Sequence, residues 1–146
     1  MNKKIAGFTL IEMLVVVAII AILASVFLIG LRGFRGSAYD SRRLSDLQKV
    51  QSYLELYYNQ GRAYPNASTW DELNTELSGA GLGITSIPND PLSSQSYYYG
   101  VDDDFQSYVL GAMLSDPSSS LLTETADIDE STFGVDCTDP IYCIRF

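Results

Sequence analysis

Histidine is absent from this 146-residue chain, so no imidazole serves as general base, proton shuttle or metal ligand near neutral pH. Cysteine is scarce. Cys137 and Cys143 are the only two, and a structural zinc site takes four ligands. In an oxidising compartment the pair would close a loop of seven residues, worth about 2 kcal/mol in the chain-entropy account; a disulfide is the preferred reading. Phosphate-cradling loops and metalloprotease motifs are missing as well, and no nucleophile–base arrangement can be built on histidine. Catalysis is therefore not expected, and the carboxylates are too numerous for any one pair to be informative. Basic side chains are also few, nine Lys+Arg against eighteen Asp+Glu, for a net charge of −9. Nonspecific nucleic-acid binding depends on Lys and Arg neutralising phosphates, so no nucleic-acid partner is expected; such acidity suits a soluble, exported surface.

What the chain does have is one long apolar run. Nineteen residues, Met13 to Leu31, carry no charge, and as a helix they would span roughly 28 Å against a bilayer core of ~30 Å. Glu12 stands at the leading edge of this run. A carboxylate in a membrane span costs a few kcal/mol and normally has a partner, whereas a plain anchor has no use for one. Thr9-Leu10-Ile11-Glu12 also fits a helix capping box, so Glu12 has a local role available at the positive end of the helix dipole. Gly30, Gly33 and Gly36 recur every three residues after the span. They read either as close packing of small residues against a neighbouring helix or as a soft point, since no proline interrupts this region.

Lys3-Lys4 before the run, Gly7, then Phe8-Thr9-Leu10-Ile11-Glu12 and the apolar helix resemble the class III signal of type IV prepilins and type II secretion pseudopilins. That resemblance implies cleavage after Gly7 by a membrane-embedded prepilin peptidase and N-methylation of the new terminal residue, Phe8. It also implies pairing of Glu12 with the N-terminal amine of a neighbouring subunit during assembly. Loss of Lys3 and Lys4 with the leader leaves seven bases against eighteen acids, a net charge of −11. The positive-inside bias points the other way, because Arg32, Arg35, Arg42 and Arg43 follow the span while two lysines precede it. The cleavage motif and the cysteine pair both require an exported C-terminal head, and they are given precedence.

The helical pattern continues from Ser37 to Gln60, with Leu44, Leu47, Val50, Leu54 and Tyr57 as an apolar stripe and Arg43, Asp46, Gln48 and Lys49 off it. Gly61 is the expected C-terminal cap, with Pro65 beyond it. Thr69-Trp70-Asp71-Glu72 is a second capping box, opening a short helix that turns Trp70, Leu73 and Leu77 inward and ends at Gly79. The Asn66-Ala67-Ser68 sequon before it reads as loop chemistry. Turns at Pro88–Pro91 lead to strand-like runs Ser96–Val101 and Gln106–Leu114, joined at Asp102–Asp104, and Ile141–Phe146 reads as a last strand. Tyr97, Tyr98 and Tyr99 are assigned to sheet packing. The expected fold is α+β: a long N-terminal helix, its first half transmembrane before assembly, packed on a small antiparallel sheet, similar to the pilin fold. Three segments follow, a leader 1–7, a hydrophobic transmembrane and filament-core helix 8–36, and a globular head 37–146 that includes the rest of the helix.

The head offers two further resemblances. Its C-terminal cysteine loop is similar to that of many type IV pilins. Asn89-Asp90-Pro91 ahead of a tyrosine-rich strand looks like the major pseudopilin head, although Leu92 stands where that family has an aromatic. Major pseudopilins bind calcium in the loop before the final strand, which implies Asp127, Asp129, Glu130 and Asp136 as ligands here; Ca²⁺ takes oxygen donors. The basic cluster Arg32–Arg43 is expected to face acidic heads of neighbouring subunits. The expected function is that of a type IV filament subunit, a type IV pilin, with a major pseudopilin as the alternative and a single-pass membrane-anchored binding module as a remote one. Its partners are then further copies of itself in a helical homopolymer, prepilin peptidase, the inner-membrane assembly platform and minor pilins. The precursor is expected in the inner membrane with its head exported, and the product in an extracellular or periplasmic filament.

Overall fold

The computed structural model describes residues 8–146, with the side chains of 26–34 excepted. Helix α1 runs Leu10–Gly61 and α2 Trp70–Gly79. Strands β1 (Tyr98–Val101), β2 (Tyr108–Met113) and β3 (Ile141–Arg145) form one antiparallel meander in that order. Two compact units divide at Arg35/Gly36. This agrees with the α+β expectation; the strands are one or two residues shorter than expected at most ends.

The first unit is a helix without a core. From Phe8 to Leu23 all the large apolar side chains are exposed, from Val16 at 47% to Leu10 at 82%. A helix that is apolar all round needs lipid or other helices for cover. Among the described residues no helix is long and apolar enough to cross a membrane by itself; the end of the apolar run, residues 26–31, lies outside those whose side chains are described, as do Gly30, Gly33 and Arg32.

The second unit, Gly36–Phe146, holds the whole core. Leu47, Val50 and Leu54 are fully buried, with Leu44 and Tyr57 at the margin, so the 3.6-residue stripe faces the sheet as expected. Trp70, Leu73 and Leu77 of α2 close a second side. Every residue of β2 but the last is buried, because its two faces serve two clusters. Tyr108, Leu110 and Ala112 join the main core. Val109 packs with Cys137, Cys143 and Val135 in a smaller one. Register follows the pleat: Leu110 pairs with Ile144 and Gly111 with Cys143.

Aromatic rings fill much of the main core. Tyr108 meets Tyr64 edge-on at 4.5 Å between centroids and stacks with Phe146 at 5.2 Å; Trp70 meets Tyr97 edge-on at 5.1 Å. Each buried hydroxyl or indole N–H needs an acceptor, and finds one. Tyr97 donates to Asp46, Tyr99 to the Pro65 carbonyl, Tyr64 and Tyr108 to Glu55, and Trp70 to the Pro88 carbonyl. The assignment of tyrosines 97–99 to sheet packing is met, with Tyr98 half-buried.

One terminus differs from expectation. Helix α1 ends at Gly61, but the left-handed residue that stops it is Arg62, at φ +56°, whose N–H donates to Tyr58 O at 2.7 Å. The cap therefore lies one residue later than glycine's permissiveness suggests.

Candidate functional site

The start of α1 is built by its capping box. Thr9 N and Thr9 Oγ1 each donate to Glu12 Oε2 at 2.8 Å, and Glu12 N donates back to Thr9 Oγ1 at 3.3 Å. Glu12 is exposed in the single subunit, with one carboxylate oxygen engaged by Thr9 and the apolar face of the helix on either side of it. A cation beside it is the natural complement. Gly7 lies outside the described residues; Phe8 is exposed immediately before the cap.

A second charged centre lies in the head, and it corrects the reading of the basic cluster. Arg43 is fully buried. Its Nε and Nη2 grip Asp90 bidentately at 2.6 and 2.9 Å, Nη1 donates to Asp40 Oδ1 at 2.8 Å and Ser115 Oγ at 2.7 Å, and Nη2 also donates to Gln95 Oε1 at 2.7 Å. All five N–H donors are thereby used. The bonds to Asp90 push the Arg43 pKa above its ordinary value against the opposing effect of burial, with Asp40 assisting. Asp40 also accepts from the backbone N–H groups of Ser115 and Asp116, and Asp90 from that of Leu92. The guanidinium thus ties α1 to the Asn89-Asp90-Pro91 turn and to the end of β2. Arg43 is not available to a neighbouring subunit; Arg42 is, being exposed with only a 3.6 Å contact to Asp46. Arg43 is not off the apolar stripe as expected: it lies one helical turn before Leu47, and both side chains are fully buried, because residues four apart share a helix face. Gly36 also packs here, where a Cβ would meet Ser115 Cβ at an ordinary 3.5 Å.

The third feature is the loop into β3. Cys137 and Cys143 form a disulfide, both fully buried beside Val109. Asp127 Oδ1 accepts from Cys143 N at 2.8 Å and from Ile128 N at 3.0 Å, fastening the loop to the strand. Of the four residues expected to hold calcium, Asp127 and Asp129 do come together. Their third partner is Asp139, the three carboxylates offering oxygens within 4.8 Å of one another. Glu130 and Asp136 are not in this cluster: Asp136 turns back on its own loop to accept from Thr138 N and Oγ1. Asp127 Oδ2 is buried with no hydrogen-bond partner, and burial, ahead of the charges of Asp129 and Asp139, holds its carboxyl above the usual carboxylate range. Hard oxygen donors around an unpartnered carboxylate oxygen fit a calcium ion better than any softer metal.

No curated protein and no solved structure matches this chain. A family model does match at the N-terminus, the prokaryotic N-terminal methylation motif, over residues 2–28. Those residues include Gly7, Phe8 and Glu12 and most of the apolar run. The chain therefore carries the class III signal typical of type IV pilins and pseudopilins, joined to an α+β head consistent with the pilin fold.

Proposed function

We propose that the chain is a structural subunit of a type IV filament, a type IV pilin. It is made as an inner-membrane precursor with its head exported, cut after Gly7 by prepilin peptidase and methylated on Phe8. An assembly platform then draws it, with minor pilins, into a helical homopolymer. The observation that carries this is the methylation motif set on a helix whose apolar side chains stand exposed around its circumference. In the filament that surface exchanges lipid for the same helices of other copies. Glu12 stands where a new amine at Phe8 of an adjacent subunit neutralises it, since an unpaired charge in such a core is costly. Glu12→Ala is expected to leave cleavage intact and to cut filament yield at least tenfold, read by electron microscopy of sheared fractions and by the mass of the N-terminal peptide. Normal filaments from this variant would reject the role of Glu12, and an intact Met1 terminus would favour a permanently anchored binding module.

The buried disulfide supports the pilus reading. A second reading, the major pseudopilin of a type II secretion system, is favoured by the Asp90–Pro91 turn ahead of β1 and by the aspartates before β3. Long surface fibres in sheared fractions support the first; short periplasmic fibres support the second. Under either, Asp127, Asp129 and Asp139 are the residues that would hold a calcium ion, which would neutralise their charge and clamp the loop to β3.

A further inference from the structure

The loop between α1 and α2 carries Asn66-Ala67-Ser68, and its conformation gives that sequon a second meaning. Pro65 and Ala67 are buried while Asn66 and Ser68 are exposed, as an extended segment throws alternate side chains to opposite sides. Ala67 N donates to Pro65 O at 3.1 Å, a three-residue turn with Asn66 at its centre. Just beyond, Ser68 N is held by Glu72 Oε2 at 2.8 Å, so the first turn of α2 fixes the backbone. The carboxamide stands at the apex of a tight turn, with a hydroxyl on the same side two residues on. Asn-x-Ser with a residue other than proline between is the acceptor pattern for N-linked saccharides.

Beside this apex lies a cleft of about 310 Å³ lined by Asn66, Ser68, Tyr99, Asp103, Phe105 and Phe133 among others, the size of a site for one small ring. Its walls are strained. Phe105 and Phe133 both sit in the left-handed region, at φ +56° and +49°, where a bulky residue costs about 1–3 kcal/mol. Phe133 is in the two-residue turn between Thr132 and Val135, which bond each other in both directions at 2.9 Å. That turn presses so closely on β1 that a Cβ at Gly100 would strike the Phe133 carbonyl oxygen. The turns themselves require these conformations, Phe133 with Gly134 at φ +82° forming a two-residue hairpin turn, and their effect is to bring two aromatic residues to the wall of one cleft.

We propose that Asn66 is an N-glycosylation acceptor and that the first sugar of its glycan lies in this cleft. The phenylalanines offer apolar surface to the C–H face of a pyranose, and Asp103 and Ser68 offer acceptors to its hydroxyls. The donor is a polyprenyl-phosphate- or pyrophosphate-linked saccharide supplied with its transferase. The Asn66 amide nitrogen bonds to C1 of the sugar, and the C1–O bond to phosphate breaks with its electron pair on oxygen. One amide proton passes to a base of the transferase. This inference rests on the exported head of the proposed function.

The test is peptide mass spectrometry of the full protein from its own filaments, reading the Asn66 peptide and the N-terminal peptide in one digest. Hexose or hexosamine increments are expected on Asn66 in the wild type and in Ser68→Thr, and none in Asn66→Gln or Ser68→Ala. A bare Asn66 overturns the inference: with a chain that begins at Phe8 it falls alone, and with an unprocessed N-terminus the exported reading falls with it. For the seat, amide exchange of residues 102–105 and 132–134 is expected to be about tenfold slower in the wild type than in Asn66→Gln. Equal exchange in a glycosylated wild type overturns the placement in the cleft.

Discussion

Arg43 presents five N–H donors to the interior of the head, and five acceptors meet them from Asp40, Asp90, Gln95 and Ser115. A buried charge is tolerated only on those terms, and removing one partner strands the other. Arg43→Met is expected to destabilise the head, Gly36–Phe146, by about 3–5 kcal/mol in urea unfolding. Adding Asp90→Asn should recover part of this, because one of the two stranded carboxylates, Asp90 and Asp40, is then gone. An Arg43→Met head within about 1 kcal/mol of wild type would show that the network fixes geometry without holding stability. At this scale the sequence is readable where contacts are local. Both capping sequences cap their helices: Thr9 and Glu12 bond reciprocally, while Glu72 N donates to Thr69 Oγ1 and the Glu72 carboxylate reaches one residue further, to Ser68 N. Asp90, by contrast, lies 47 residues from Arg43, and nothing in the spacing between them announces the pair.

Among the elements, β3 depends most on what lies outside it. It pairs with β2 along one edge, and along the other it is met by Ile128 N, which donates to Cys143 O at 3.1 Å, and by Asp127. The disulfide closes the same short loop. Calcium bound by Asp127, Asp129 and Asp139 would tighten this fastening, and a hundredfold excess over Kd would add about 2.7 kcal/mol to stability. Calorimetric titration of the head with Ca²⁺ is expected to show binding heat and a raised Tm, both lost in Asp127→Asn/Asp139→Asn and both kept in Glu130→Gln/Asp136→Asn. Absence of heat and of stabilisation in the wild type would remove calcium from this loop. Helices and strands were legible from periodicity, because 3.6- and 2-residue repeats reflect which face is covered. The ligand set was not: which acids of a polar loop converge depends on how the loop folds back, and Asp139, next to Pro140, joins Asp127 across twelve residues.

For the head as a whole, the tyrosine-rich core has a consequence in alkali. Burial pushes the Tyr64 hydroxyl up to about 12, and those of Tyr97, Tyr99 and Tyr108 higher still, with nearby carboxylates adding to the effect. In an unfolded chain they ionise near 10. Their folded pKa values are raised, so the folded state holds more protons than the unfolded one between the two values. Their contribution to stability is therefore complete below about pH 10 and is lost as pH rises through the folded values. The urea midpoint of the head is expected to fall steadily above pH 10, and tyrosinate absorbance at high pH to rise in step with loss of helical circular dichroism. Ten tyrosines all ionising near 10 with the fold intact would contradict this.

The sequence alone determined the N-terminal signal, the two capping boxes, the long helix and its apolar stripe, the order of the three strands and the closeness of the cysteines. Each of these is written in residues near one another along the chain, or in a repeat that a helix or strand must obey. The tertiary structure alone decided that Arg43 is an internal strut and not a surface cation, that Arg62 and not Gly61 takes the left-handed turn, that Asp139 joins Asp127 and Asp129, and that Phe105, Phe133 and Asn66 meet around one cleft. These are encounters between distant segments, and the free energy that selects them comes from burial and from satisfying buried charge, which exist only once the chain has closed on itself.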